Sequence, residues 1–193
     1  GNTTSTITFR NNVFSQILAS GTRTISRNFI NTATGEIQTL GGLDAGAKTF
    51  SGNVSLSTRG MSLTAITGGD TTFSGVISGG FGIQKEGNGT VNLTNANTYT
   101  GGTTVVQGLL TGQAQAAGSP FGTTGMTITD GEVTLLGRAA AVSTTSQAGA
   151  LTVAGGARVG VTAVGGNATT FNFASLARSG AAGTVTFVPG SGS

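Results

Sequence analysis

Apolar and β-branched residues alternate with polar ones in short runs, and steps rich in Gly and Asn separate the runs. Thr6-Ile7-Thr8-Phe9 and Thr24-Ile25-Ser26 alternate with period two. Residues 61–67 put Met61, Leu63, Ala65 and Thr67 on one side and Ser62, Thr64 and Ile66 on the other. Such alternation predicts half-buried strands. Further strand-like runs lie at 53–57, 76–78, 82–85, 90–94, 103–107, 132–136, 157–164, 169–173 and 184–188. Residues 13–19 are the main helical competitor, but the run is short and lacks charged neighbours. Polar steps such as Arg10-Asn11-Asn12, Ala33-Thr34-Gly35 and Gly41-Gly42 read as turns.

The runs repeat. Lys48-Thr49-Phe50-Ser51-Gly52 is echoed 23 residues later by Thr71-Thr72-Phe73-Ser74-Gly75. Thr104-Val105-Val106-Gln107-Gly108 returns as Thr127-Ile128-Thr129-Asp130-Gly131 and as Thr152-Val153-Ala154-Gly155-Gly156, with glycines 23 and 25 residues apart. Phe9, Phe29, Phe50 and Phe73 recur at intervals of 20, 21 and 23, which predicts a column of stacked rings. One such unit cannot bury its own apolar face, whereas stacked units enclose a continuous core. The period is too short for a βαβ unit of ~30 residues or a propeller blade of ~40–45. An antiparallel sandwich fits the turn spacing, but one Tyr and no Trp suit a narrow core better. The expected fold is all-β: a parallel β-helix (β-solenoid) of about 20–25 residues per turn. About eight turns at ~4.8 Å make a rod of roughly 40 Å. Residues 1–188 are expected to form one solenoid segment and 189–193 a flexible tail.

Composition supports this and narrows the chemistry. Gly numbers 35 of 193 residues and charged residues are 8%; abundant Thr, Val and Ile favour strands. The net charge of +3 comes from nine basic residues spread along the chain, of which only Arg10, Arg23 and Arg27 stand near one another. Nucleic-acid binding needs a clustered basic face with stacking aromatics, so no nucleic-acid partner is expected. With no Cys and no His, disulfides, thiol or imidazole metal sites, and Ser-His-Asp and Cys-His constellations are excluded. No apolar run of ~20 residues spans a membrane as a helix. The chain starts with Gly1 and shows no signal peptide, so it is expected to be a piece of something longer.

Residues 82–110 read GIQKEGNGTVNLTNANTYTGGTTVVQGLL. This segment resembles the autotransporter-associated β-strand repeat, also called the passenger-associated transport repeat. The shared positions are Gly82, Lys85, Gly87, Gly89, Thr90, Leu93, Thr94, Asn97, Tyr99, Gly101, Thr103, Val105, Gly108 and Leu110. Asn95 stands where that family usually has Gly, and Ile83 and Val91 where it often has Leu. The resemblance implies a right-handed parallel β-helix in a large exported or surface-displayed bacterial protein, where the repeat aids secretion and folding of the passenger. It also implies structural rather than chemical roles for Lys85, Gly87, Gly89, Thr90, Leu93, Asn97, Tyr99, Gly101, Thr103, Val105, Gly108 and Leu110.

Candidate chemistry is sparse. Asp130 and Glu132 are the only acids close in sequence; a regular strand would set them on one side as paired-carboxylate catalysis requires, but Asp130-Gly131 reads as a turn. Lys85-Glu86 reads as a solvated turn and Tyr99 as a packing residue. Gly79-Gly80-Phe81-Gly82 opens like a calcium β-roll, but Gln84 stands where Asp is needed. No cofactor, metal or enzymatic activity is expected. The expected function is a structural module at the bacterial cell surface: stalk, coat or adhesin body. The alternatives are a self-assembling fibre subunit and a β-helix that binds or cleaves polysaccharide. Expected partners are neighbouring β-helix segments or like copies end to end, and cell-surface glycans or host surfaces.

Overall fold

The computed structural model describes residues 5–10, 14–180 and 183–189. The chain climbs in coils of three short strands. The first coil holds β1 (Ile7–Phe9), β2 (Gln16–Ala19) and β3 (Arg23–Ile25); the second, β4 (Phe29–Asn31), β5 (Gln38–Gly42) and β6 (Ala47–Phe50). The third holds β7 (Val54–Leu56), β8 (Met61–Thr64) and β9 (Asp70–Phe73); the fourth, β10 (Ile77–Gly79), β11 (Ile83–Glu86) and β12 (Thr90–Leu93). Two long strands follow, β13 (Thr103–Gln113) and β14 (Met126–Leu136). Then come β15 (Ser143–Gln147), β16 (Leu151–Val153) and β17 (Gly156–Thr162), and finally β18 (Thr169–Phe173), β19 (Leu176–Arg178) and β20 (Thr184–Pro189).

Every ladder between these strands is parallel, and three walls result. The first is β1-β4-β7-β10, resumed later by β15-β18. The second runs β2-β5-β8-β11-β13-β14-β16-β19, and the third β3-β6-β9-β12-β13-β14-β17-β20. This is a β-solenoid of about seven turns, one fewer than the sequence period suggests. Partners in register lie from 19 residues apart (Thr90 and Leu109) to 28 (Arg158 and Thr186). The widening falls in the last coils, where corners lengthen.

The echo at residues 48–52 and 71–75 is a true register repeat: Lys48 pairs with Thr71 and Phe50 with Phe73. The phenylalanine column forms, with ring centroids 6.4, 5.8 and 5.0 Å apart from Phe9 through Phe29 and Phe50 to Phe73. It crosses the interior, however. Phe9 and Phe29 sit on the first wall, Phe50 and Phe73 on the third, and the in-register partner of Phe29 is Val54. The interval of 20 is a two-residue offset on the first wall, where Phe29 pairs with Ile7, and the interval of 21 is the passage from first to third wall within one coil. Leu40, Leu63, Val105 and Ile128 line the second wall with no exposure, and Val91, Leu93, Leu110, Val133 and Leu135 do the same on the third. At ~25 cal/mol per Å2 this continuous apolar interior is the main stabilising term, joined by ladder hydrogen bonds along the axis.

Several local expectations change, the first being Gly41-Gly42, which reads as a turn but ends β5 in register with Leu18 and Ala19. Residues 61–67 are strand only to Thr64, and Ile66 turns outward at 41% exposure. Residues 16–19 of the helical competitor form β2; Val13 lies outside the described residues. Asp130-Gly131 is no turn: both lie inside β14, because the second and third walls fuse there into one strand. The third echo holds in its first half, with Thr127 opposite Thr152 and Ile128 opposite Val153, and slips by one beyond the corner, where Glu132 pairs with Arg158 rather than Ala157. At the end, Pro189 still belongs to β20, and the rest of the expected tail, 190–193, lies outside the described residues.

Candidate functional site

The corner between the second and third walls collects the polar groups of the repeat. Lys85 ends the inward row of β11, below Val105 and above Leu63, and its side chain is fully buried. An ammonium there needs acceptors. Nζ donates to the carbonyls of Glu86 (2.8 Å) and Gly87 (2.6 Å) in its own coil and of Gln107 (3.1 Å) in the next. Burial pushes its pKa down to about 8, with the Glu86 carboxylate pulling the other way. The solvated turn expected for Lys85-Glu86 is therefore overturned: the alternation that buries Ile83 also buries Lys85, two residues on. Glu86 accepts from Ser62 Oγ (2.9 Å) and Gln84 Nε2 (2.5 Å) on the outside of the wall.

The glycines make room for this corner. Gly87 and Gly108 both have φ of 73°. A Cβ on Gly89 would stand 2.0 Å from Ile66 O, and one on Gly108 would stand 2.8 Å from Lys85 Nζ. On the next corner Gly101 abuts the Gly82 backbone, leaving 2.1 Å from a Cβ to Gly82 N.

Asn97 and Tyr99 tie coils together where the first wall loses its ladder. Asn97 accepts from Ile77 N through Oδ1 (2.7 Å), donates through Nδ2 to Pro120 O (2.6 Å), and its own N–H goes to Ser119 O (2.8 Å). The Tyr99 hydroxyl lies 2.6 Å from Thr103 Oγ1, which donates to Phe121 O (2.9 Å). Thr103 has a single proton, so Tyr99 is the donor of the pair. Tyr99 is fully buried and burial raises its pKa. Leu93, Val105 and Leu110 face the core, while Thr90 is half-buried on the outer side of β12.

The sequence did not single out a second buried amine. Lys48 lies at 1% exposure and donates to Asp44 O, Gly46 O and the Asp44 carboxylate. The signal was available: Lys48 has the same strand parity as Phe50. Asp44 is held at about 2 by the Lys48 hydrogen bond and by the N–H groups of Gly21 and Gly46. Its contribution to stability is present above the ordinary carboxylate value and lost as pH falls toward 2.

Asp130 and Glu132 do share the outer side of β14, at a groove of about 320 Å3. Glu132 there pairs with Arg158 Nε at 3.2 Å. No group of three or more Asp, Glu, His or Cys able to hold a metal occurs among the described residues. No helix among them is long and apolar enough to cross a membrane.

Comparison with known proteins agrees with the geometry. Residues 83–111 match the passenger-associated-transport-repeat family, so the chain carries this repeat as its β11, β12 and most of β13. A stretch of 110 residues, 53% of the chain, is 33% identical to the adhesin BmaC autotransporter of Brucella suis biovar 1 (strain 1330). The match spans 3% of that protein's length. No solved structure matches the chain.

Proposed function

We propose that this chain is a structural module of an exported bacterial surface protein, a length of β-solenoid that serves as stalk, coat or adhesin body. The observation that carries the reading is the use made of the repeat's polar residues. Lys85, Asn97, Tyr99 and Thr103 are all buried and all bonded to the coil itself, which leaves none of them for a substrate. The family match and the autotransporter relative support export, and outer-membrane association of the whole protein is part of the proposal. The test is antibody labelling of the source bacterium. Antibody to the chain should label intact cells, and labelling only after permeabilisation would contradict the reading.

A second reading, end-to-end contact with another coil, is favoured by the terminal rungs. Among the described residues, strands β18, β19 and β20 are each paired on one side only. They expose Leu176 (57%) and Phe187 (66%). Such edges invite a further strand, and the length of the relative beyond the match makes a neighbouring coil the natural occupant. Sedimentation should show association that grows with concentration. A strictly monomeric rod would count against like copies stacking.

A further inference from the structure

The last coil replays the opening of the repeat. Leu176-Ala177-Arg178-Ser179-Gly180 answers Ile83-Gln84-Lys85-Glu86-Gly87, and Gly183-Thr184-Val185 answers Gly89-Thr90-Val91 after a corner one residue longer. The likeness is also spatial. Leu176 tops the inward column of Met61, Ile83, Thr103, Met126 and Leu151. Arg178 tops the column of Lys85, Val105, Ile128 and Val153. Gly180 has φ of 89°, where Gly87 has 73°. An arginine thus stands at the corner position of the repeat's lysine.

The two cations differ in what lies above them. Lys85 is buried, and besides two carbonyls of its own coil it takes Gln107 O of the next. Above Arg178 no coil lies among the described residues, and its side chain stands exposed. Its neighbours share that state. Phe187 continues the column of Val91, Leu110, Val133 and Val159, none of them more than 3% exposed, yet is itself 66% exposed. Leu176, at 57%, follows Leu151 at 2%. These are core positions that lack only a covering coil. In the coils below, the cover is always another coil of the same kind, paired strand on strand.

The chain's own lower end has the form of such a coil. Among the described residues β1, β2 and β3 are each paired on one side only, and they begin the same three walls in the same direction. The column that Arg178 ends begins with Ile17, and the column that Phe187 ends begins with Arg23. Continuing the register by one coil therefore sets Ile17 of a second copy over Arg178, and Arg23 of that copy over Phe187. The carbonyl in the place of Gln107 is then that of Ala19. It accepts from Leu43 N at 2.9 Å within its own chain and keeps a second lone pair for the guanidinium. The Arg23 guanidinium meets the Phe187 ring, a favourable cation–π pair. We infer that the upper end of the solenoid binds the first coil of a second copy, with Arg178 serving the new corner as Lys85 serves its own. The contact is head to tail, so each addition leaves a free end and the chain extends into a fibre. This rests on the end-to-end reading above and gives it a partner, a register and an anchoring residue.

In this register Thr22 of the second copy lies beside Thr186 of the first, and both are exposed. Paired strands are ~4.8 Å apart, within the Cα separation that a disulfide spans, and the chain has no cysteine of its own. Thr22→Cys combined with Thr186→Cys should therefore oxidise to a ladder of covalent multimers. Thr24→Cys combined with Thr186→Cys, two residues out of register, should run as a single chain on a denaturing gel. In sedimentation, Arg178→Met should weaken association roughly tenfold and Arg178→Lys by less than about threefold. The melting of the dilute single chain should be the same in both, because Arg178 is exposed there. Association in which both cysteine pairs cross-link alike, or which Arg178→Met leaves unaltered, overturns the inference and leaves end-to-end contact standing. A strictly monomeric chain overturns both.

Discussion

Two lysine corners, one near each end of the first four coils, fill the same edge of the solenoid in different ways. In the second coil the chain takes seven residues to pass from Leu40 on the second wall to Ala47 on the third. In the fourth it takes five, from Lys85 to Thr90, and in the next coil four, from Val105 to Leu109. Lys48 enters its wide corner from the third wall and meets the turn carbonyls and a carboxylate. Lys85 enters its tight corner from the second wall and meets carbonyls alone. The third coil, between them, has no lysine and closes its corner with Gly69 N to Ile66 O at 2.8 Å. The shared element is a nest of backbone carbonyls turned inward by a sharp corner, which a buried amine satisfies. The carboxylate is an addition the wide corner has room for. In β13 the corner has shrunk to a bend at Gly108 inside one continuous strand, and its Gln107 carbonyl is met by Lys85 from the coil below.

The scale for testing this contrast is set by the core that both corners abut. Leu93→Asp places a carboxylate at a fully buried site and should cost more than about 4 kcal/mol, read as loss of the β-type circular dichroism and of a cooperative melt. Glycine substitution then separates tight from wide. Gly89→Ala puts a Cβ 2.0 Å from Ile66 O, whereas at Gly46 the nearest atom is Gly21 C at 2.8 Å. The first should cost about 3 kcal/mol or more and the second about half that, by urea denaturation. Equal costs would mean that both corners flex alike.

Removing the amines comes next. Lys85→Met takes the amine from three carbonyls, of which Glu86 O keeps the Thr64 hydroxyl at 3.3 Å, and should cost about 2–4 kcal/mol. Lys48→Met should cost less, because the Asp44 carboxylate it leaves is 42% exposed and regains water. The reverse order would assign the dominant role to the ion pair. Smallest is Glu86→Ala. In a solvated turn this change would be silent, but the buried Ser62 hydroxyl donates to this carboxylate, so a loss of about 1 kcal/mol is expected.

The coil was legible in the sequence because its determinants are local. Alternation marked β11, β12 and β18, and the 23-residue echoes set the register of β6 on β9 and of β13 on β14. Corners were less legible, since their geometry depends on the coil below. Asp130-Gly131 has the composition of a turn, yet it stays within one continuous strand because the corner beneath it has already narrowed to four residues. Lys85 looked solvated because charge normally means exposure; only the stacked carbonyls of Gln107 and Gly87 reverse that.

The central claim is that the repeat's lysine is a buried structural part of the corner, and its titration tests this directly. Folding lowers its pKa from 10.5 to about 8, so between these values the unfolded chain binds more protons than the folded one. Stability must therefore rise with pH across this window, and at lower pH the cost of burying the charge remains in full. The measurement is the urea midpoint of the native chain and of Lys85→Met from pH 7 to about pH 9.5, below the range in which the Tyr99 phenol of the unfolded chain ionises and lowers stability. The native chain should gain on the order of 1–2 kcal/mol through the window, after discounting for solvent screening, while Lys85→Met should start lower and stay flat. Equal stability of the two proteins with the same pH profile would contradict the account.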